Sequence, residues 1–154
     1  MDFYYPNLNN DMWRVMGLLF FGDKNHFVET THKAFCKERI VDFLIEKGIA
    51  LFDTATVVHR LKDNAADQFL EIIEATEIRA LLQQLPNCQT IAVTGQKAMD
   101  TLRTQLQVDE PAVGKSVKFS VENRPVRLFR MPSTSRAYPL PLERKAAMYG
   151  TMLF

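Results

Sequence analysis

The sequence has few of the residues that cross-link small folds or hold metal ions. Its 154 residues include two cysteines, Cys36 and Cys88, which lie far apart and form no CxxC pair. This usage argues against a disulfide framework, a zinc ribbon or an iron–sulfur cluster, and favours two thiols in the core. The three histidines, His26, His32 and His59, lack metal-ligand spacing, so no metal site is predicted.

Signatures of the common small-motif enzymes and of membrane proteins are also missing. The chain has no GxSxG elbow, no P-loop and no GxGxxG. No apolar run reaches the roughly 18 residues that a membrane-spanning helix needs. The opening MDFYYPNLNND lacks the basic and apolar regions of a signal peptide. A cytoplasmic protein with no membrane partner is therefore expected.

The composition that is present is that of an ordinary globular chain. Hydrophobic residues make up 47% and charged residues 24%, which suits one domain over residues 1–154. The net charge of +1 neither demands nor excludes a nucleic-acid partner, because a local basic patch can bind phosphates whatever the total.

Helix-like patterns occupy the N-terminal part of the chain. Residues 11–21 follow the potential cap Asn10 and predict a helix whose inner face holds Trp13, Met16, Leu19 and Phe20. A second helix is predicted from Thr30 or Thr31 through Lys47, stopped by Gly48, with Phe35, Val41 and Leu44 facing inward.

Strands alternate with helices in the rest of the chain. Residues 49–58, IALFDTATVV, predict a buried parallel strand that breaks into a loop near Asp53. Further along, the patterns predict a helix over 66–85, a buried strand over 90–95, a helix over 96–107 and a hairpin over 117–132 with Asn123-Arg124 near its turn. The alternation indicates a layered α/β domain with a mainly parallel sheet.

Ligands of such sheets bind outside the carboxyl ends of the strands. Asp53, Thr94-Gly95 and residues 131–135 follow three predicted strands, so they form a candidate site. Each has a plain structural alternative. Asp53 could cap a helix or be solvated, Gly95 could serve a tight turn, and the hydroxyls of MPSTSRA could cap the final helix or satisfy loop backbone.

Taken in order, four segments resemble the uracil-DNA glycosylase superfamily. GIALFDTATVV is similar to its base-reading strand and loop, AVTGQKAMD to the strand, glycine and helix that follow, and RMPSTSRAY to its Pro-Ser loop. FYYPNLNNDMWRVMG resembles the hypoxanthine/mismatch-type DNA glycosylase branch. The resemblance covers nearly the whole chain and implies a three-layer αβα sandwich with a mainly parallel central sheet.

The same resemblance implies an activity and a set of residues. It implies hydrolysis of the N-glycosidic bond of a deaminated base, uracil or hypoxanthine, in DNA, without metal or cofactor. Asn10 takes the catalytic position, and the base-binding positions fall on Asp53, Phe52, Tyr4 and Tyr5. The DNA-binding positions fall on Gly95, Lys97, Ser133, Thr134, Ser135 and Arg136.

Two departures from the family pattern accompany the resemblance. Met131 stands where well-known members carry a histidine before the Pro-Ser pair. The family's first strand and its Gly-Ser-Phe-Pro-like loop would precede Met1, so the domain is expected to be N-terminally incomplete, dimeric if another chain supplies the strand, or closed by direct pairing of the two remaining strands. Two other functions stay open: a non-catalytic nucleic-acid or nucleotide-binding α/β domain, and a small-molecule hydrolase.

Overall fold

The computed structural model describes residues 4–52, 55–60, 70–75 and 77–154. The chain is mixed α/β, with elements in the order α1 (Met12–Phe21), β1 (Val28–Glu29), β2 (Ala34–Phe35), α2 (Lys37–Lys47), β3 (Ala55–Arg60), β4 (Leu70–Ala75), α3 (Ile78–Gln84), β5 (Thr90–Thr94), α4 (Gln96–Gln105), β6 (Ser116–Val121), β7 (Arg124–Met131) and α5 (Leu142–Leu153). Within these ranges, no helix has the length and apolar character needed to cross a membrane.

The chain divides into two compact units. Met1–Leu51 and Pro132–Phe154 form one, here called the helical unit, and Phe52–Met131 form the other, here called the sheet unit. The single domain expected over residues 1–154 stays a prediction.

Helix α1 begins at Met12 with Asp11 as its N-cap, one residue later than the sequence predicts, so the predicted cap at Asn10 is wrong. The side-chain oxygen of Asn10 accepts a hydrogen bond from the N–H of Met12 at 2.9 Å, which satisfies one of the free donors at the helix start. Gly22 ends the helix in the left-handed conformation at φ 65°. The buried face packs against α5 and holds Met12, Trp13, Val15 and Met16.

The start of the second helix differs from the prediction. Val28 pairs with Phe35 in a short antiparallel hairpin, so Thr30 and Thr31 lie in its turn and α2 begins only at Lys37. The hairpin buries the aromatic ring of Phe35, and we infer that this burial outweighs the tendency of Thr30 or Thr31 to cap a helix. The predicted stop at Gly48 is confirmed.

The register of α2 also changes which side chains are buried. Ile40 and Phe43 are buried, whereas Val41 is exposed, contrary to the prediction. Phe43 packs edge-to-face on Phe27 with ring centroids 5.2 Å apart, and this aromatic contact sets the inward face of the helix.

Gly17 lies where the chain turns back onto α1, and the substitution Gly17→Ala tests this packing. An added Cβ would lie 2.5 Å from the carbonyl oxygen of Asp23, which is backbone. We expect a loss of about 1–3 kcal/mol in the free energy of unfolding from this overpacking, although alanine is the better helix former. In Gly150→Ala the new Cβ would meet only the end of the Leu19 side chain at 3.3 Å, so urea unfolding should show a much smaller change. A Gly17→Ala protein as stable as its parent would contradict the close approach.

The sheet unit contains the mixed sheet β5-β7-β6. β5 runs parallel to β7, and β6 pairs with β7 as the predicted antiparallel hairpin. Glu122 and Asn123 form its turn with φ values of 49° and 66°, as a type I′ connection requires. The core of this unit is formed by Leu82, Val93, Met99, Leu102, Leu106, Val121, Val126 and Leu128.

Two predictions for the middle of the chain are wrong. The strand predicted over 49–58 begins only at Ala55, and it pairs antiparallel with β4 rather than parallel to another strand. The helix predicted over 66–85 gives way to β4 and the short α3. Short apolar runs rich in β-branched residues do not specify a partner strand, so their pairing is decided by tertiary structure. β3 and β4 form a separate two-stranded antiparallel sheet, and the three-stranded sheet β5-β7-β6 is mixed rather than mainly parallel.

Candidate functional site

The ends of two strands meet as predicted. In the parallel ladder of β5 and β7, Thr94 is the register partner of Met131, so both strands end at one edge of the sheet. The predicted strand β5, the turn at Gly95 and the helix α4 that follows it are confirmed. Asp53, the third predicted strand end, lies outside the described residues.

Beyond Met131 the 132–136 loop joins the helical unit, where it pairs with the start of α1. Asn10 and Ser135 form an isolated antiparallel bridge. The N–H of Asp11 donates to the carbonyl of Thr134 at 2.8 Å, and the N–H of Arg136 donates to the carbonyl of Asn9 at 3.3 Å. The backbone thus brings the predicted catalytic position and the predicted DNA-binding loop together.

Asn10 is half-buried and its carboxamide is held in place. Its oxygen accepts the Met12 N–H, so the side chain has one fixed anchor. Among the described residues, its amide nitrogen has no hydrogen-bond partner. A carboxamide in this state keeps two N–H donors for a bound molecule.

The hydroxyls of the 132–136 loop organise the loop itself. Helix α5 begins only after Pro141, so none of them caps it. Ser133 Oγ accepts from the N–H of Ser135, and Ser135 Oγ accepts from the N–H of Ala137, both at 3.2 Å. Each of these hydroxyls retains an O–H to donate. Thr134 is only 2% exposed, so the accessible hydroxyls are those of the two serines.

An ion cluster centred on the nearly buried Asp11 holds the 132–136 loop against the helices. Lys145, whose side chain is 1% exposed, places Nζ 3.2 Å from Asp11 Oδ2 and donates to the carbonyl of Ser135 at 3.0 Å. Arg136 Nε lies 3.2 Å from Asp11 Oδ1. Lys145 and Asp11 are therefore neutralised as a pair, and Ser135 is tied to α5.

The phenol of Tyr149 on α5 also holds the 132–136 loop in place. The hydroxyl of Tyr149 donates to the carbonyl of Pro132 at 2.7 Å. Burial raises the pKa of Tyr149 above its ordinary value, and the nearby Tyr5 adds to the rise, so this phenol stays a neutral donor.

Tyr4 and Tyr5, two of the predicted base-binding residues, lie shortly before α1. Trp13 Nε1 donates to the carbonyl of Tyr4 at 3.1 Å, and the ring of Tyr5 packs edge-on against Trp13 with centroids 6.4 Å apart. Tyr5 has a φ of 54°, which is strained for a residue with an aromatic side chain. Such strain persists only where the surroundings hold it, and it often marks functional sites.

An open cleft of about 370 Å³ lies beside this cluster. Its charged lining comprises four cations and two carboxylates, a net charge of +2, from Asp11, Arg14, Lys24, Arg136, Glu143 and Lys145. Burial lowers the pKa of Arg14, and repulsion from Arg136 lowers it further, while Asp11 acts in the opposite direction. The positive charges of Arg14 and Arg136 thus repel one another.

The remaining predicted site residues lie in the sheet unit. Gly95 opens α4 at φ 90°, a conformation that favours glycine, and Lys97 is half-buried in the first turn. Phe52 is 58% exposed. The side chain of Gln96 donates to Asp100 and Glu110 and accepts from Arg130, so a polar network covers the start of α4.

Sequence reasoning missed Asp11, Lys145 and Tyr149. One local signal was available, because Lys145 and Tyr149 are four residues apart and so share a face of a predicted helix. The partner of Lys145 lies 134 positions away, and no local pattern points to it.

Comparisons with known proteins identify no relative of this chain. No family model, no curated protein and no solved structure matches the chain. In the described part of the chain, no group of three His, Cys, Asp or Glu residues is placed to hold a metal ion.

Proposed function

We propose that the chain is a monofunctional DNA glycosylase of the uracil-DNA glycosylase type, which hydrolyses a deaminated base from DNA in cytoplasmic base-excision repair. The proposal includes a three-layer αβα sandwich as its fold. It needs no metal or cofactor.

The pairing of Asn10 with Ser135 carries the proposal. The resemblance requires the catalytic asparagine and the Pro-Ser loop to serve one site, although they are 125 positions apart in the chain. Nothing in the local patterns around either residue demands their contact. Their backbone bridge, with the hydrogen bond from Asp11 to Thr134, is therefore an independent observation in favour of the proposal.

Each residue has a chemical role in this proposal. Cleavage of an N-glycosidic bond needs a stabilised oxocarbenium-like sugar, a positioned water and a base that leaves as an anion. The carboxamide of Asn10 cannot remove a proton from water, so it orients the water or hydrogen-bonds the base. Asp53, an acceptor when ionised, suits the ring N–H of uracil or hypoxanthine and disfavours cytosine.

The 132–136 loop grips the DNA backbone in the same proposal. Extruding a nucleotide from the stack costs a few kcal/mol, which backbone contacts offset. The hydroxyls of Ser133 and Ser135 are already anchored to the loop, so donating to phosphate costs little conformational entropy. Arg136, 51% exposed, adds positive charge or fills the vacated stack.

One observation favours the second candidate, a non-catalytic nucleic-acid or nucleotide-binding domain. Met131 occupies the position of the family's histidine, and it is buried. A thioether supplies no proton and no charge to a departing base. Slow release of uracil is therefore expected from an active enzyme, and the absence of any base release from deaminated oligonucleotides would favour the binding domain.

The double substitution of Ser133 and Ser135 with alanine tests the loop. If the hydroxyls donate to phosphates, affinity should fall about equally for all DNA sequences, because phosphate contacts carry no sequence information. The isosteric change Thr134→Val is the matched control, since that side chain is buried and should leave DNA affinity unchanged. Fluorescence anisotropy on unrelated duplexes measures both effects. Unaltered affinity of the double variant, with a lower melting temperature, would assign the hydroxyls to loop stability alone.

A further inference from the structure

The cleft beside α1 has donors that the Asp11 cluster leaves unused. Lys145 donates to Asp11 and to the carbonyl of Ser135, and its side chain is buried. Arg14 is positioned differently, with one nitrogen donating to the carbonyl of Leu8 and its guanidinium 5.4 Å from the centre of the Phe35 ring. A cation held over a ring keeps its outer edge free to bind a ligand.

Lys24 adds a third accessible cation on the cleft wall. It is exposed, and within the described ranges its ammonium has no hydrogen-bond or ion-pair partner. Glu143 is the one lining carboxylate outside the Asp11 cluster. Asp11 is shared by the buried Lys145 and by Arg136 Nε, so the accessible part of the cleft holds Arg14, Lys24 and the other N–H groups of Arg136 against Glu143.

We propose that this cleft binds a phosphate monoester. A monoester carries about −1.5 to −2 charges at pH 7, which matches the net charge of +2 on the lining side chains. Guanidinium groups recognise phosphate by paired N–H···O bonds, and the cleft contains two such groups, those of Arg14 and Arg136. The volume of about 370 Å³ falls within the range of small-ligand clefts, roughly 300–1,000 Å³, and the charged lining suits an anion better than an apolar ligand.

This site shares Arg136 with the proposed DNA-binding loop but uses no atom of Asn10 or Asp53. A chain that releases no base can therefore still bind phosphate here. In the converse case, a chain that releases base but does not bind phosphate in this cleft would refute only the phosphate site and leave the proposed function standing.

Titration with inorganic phosphate at low ionic strength tests the proposal. Binding is measured by calorimetry and by the NMR chemical shifts of the protein. We expect saturable binding in the parent protein. Lys24→Gln should weaken this binding by about threefold to fivefold, the scale of one exposed charge pair. Lys115→Gln is the matched control, because it removes the same charge from an exposed lysine that does not line the cleft.

Glu143→Gln provides a change of opposite sign. It removes the carboxylate that repels the anion, so phosphate should bind more tightly by a similar factor. Absence of saturable binding, equal weakening by the Lys24 and Lys115 changes, or no gain in Glu143→Gln would each overturn the proposal. Thermal melting of each variant confirms that the fold is retained.

The source of the phosphate is decided by two oligonucleotides that differ only in a 5′-phosphate. Tighter binding of the phosphorylated strand, lost in Lys24→Gln, would support the cleft as a site for a nucleic-acid terminus. Equal binding of both strands, with inorganic phosphate still bound, would support it as a site for a small phosphate compound.

Discussion

Replacing Lys145 with alanine is expected to lower the free energy of unfolding by about 3 kcal/mol, because the change leaves a nearly buried carboxylate without its buried cation. The side chain of Asp11 is 10% exposed and keeps the half-exposed Arg136 as an ionic partner. The carbonyl of Ser135 loses a donor as well. Urea unfolding followed by circular dichroism measures the loss.

Two further variants separate the ion pair from simple loss of packing. The double change of Asp11 to Asn and Lys145 to Met removes both charges and keeps the volume, so it should be less destabilising than Lys145→Ala alone. Arg144→Ala, at the exposed neighbouring position of α5, should stay within about 0.5 kcal/mol of the parent. A small effect of Lys145→Ala would show that the buried pair does not hold the loop on the helices.

Replacing Asn10 with alanine is expected to reduce single-turnover base release by roughly 10²-fold or more, the scale of losing one hydrogen bond made in the transition state. The assay uses oligonucleotides that contain uracil or hypoxanthine. DNA affinity should change little, because the loop that contacts phosphates keeps its backbone hydrogen bonds.

Asn10 also accepts a hydrogen bond at the start of α1, so the test must separate catalysis from stability. Asn10→Ala should cost about 1 kcal/mol through the lost hydrogen bond from the Met12 N–H, whereas Asn10→Asp keeps an acceptor for Met12 and should preserve stability. Both variants lack the amide N–H donors and should lose activity. Asn7→Ala is the control, because Asn7 makes a similar contact to the N–H of Asn9 on the exposed side. Base release by Asn10→Ala at the rate of the parent would remove this residue from the mechanism.

Local signals in the sequence were enough for much of the secondary structure. The stop at Gly48, the strand–glycine–helix at Gly95 and the hairpin turn near Asn123 all depend on backbone preferences of a few neighbouring residues. Such preferences act within one or two turns of chain, so they are readable without a fold. The same local reading predicted that β7 leads into the MPSTSRA loop.

Local signals failed where a distant partner decides the structure. β3 has a strand pattern, but its antiparallel pairing with β4 replaced a predicted helix. The hairpin of Val28 and Phe35 displaced the start of α2 for the same reason, since ring burial outweighs the preference of the intervening threonines.

The sequence by itself determined which residue types the candidate site contains: a carboxamide after two tyrosines and a proline-bounded, hydroxyl-rich loop after a strand. Tertiary structure alone decided that Asn10 faces Ser135, that Thr134 is buried, and that Lys145 neutralises Asp11. Each of these depends on contacts more than a hundred positions apart, whose free energy comes from desolvation and burial of the assembled core rather than from any local preference.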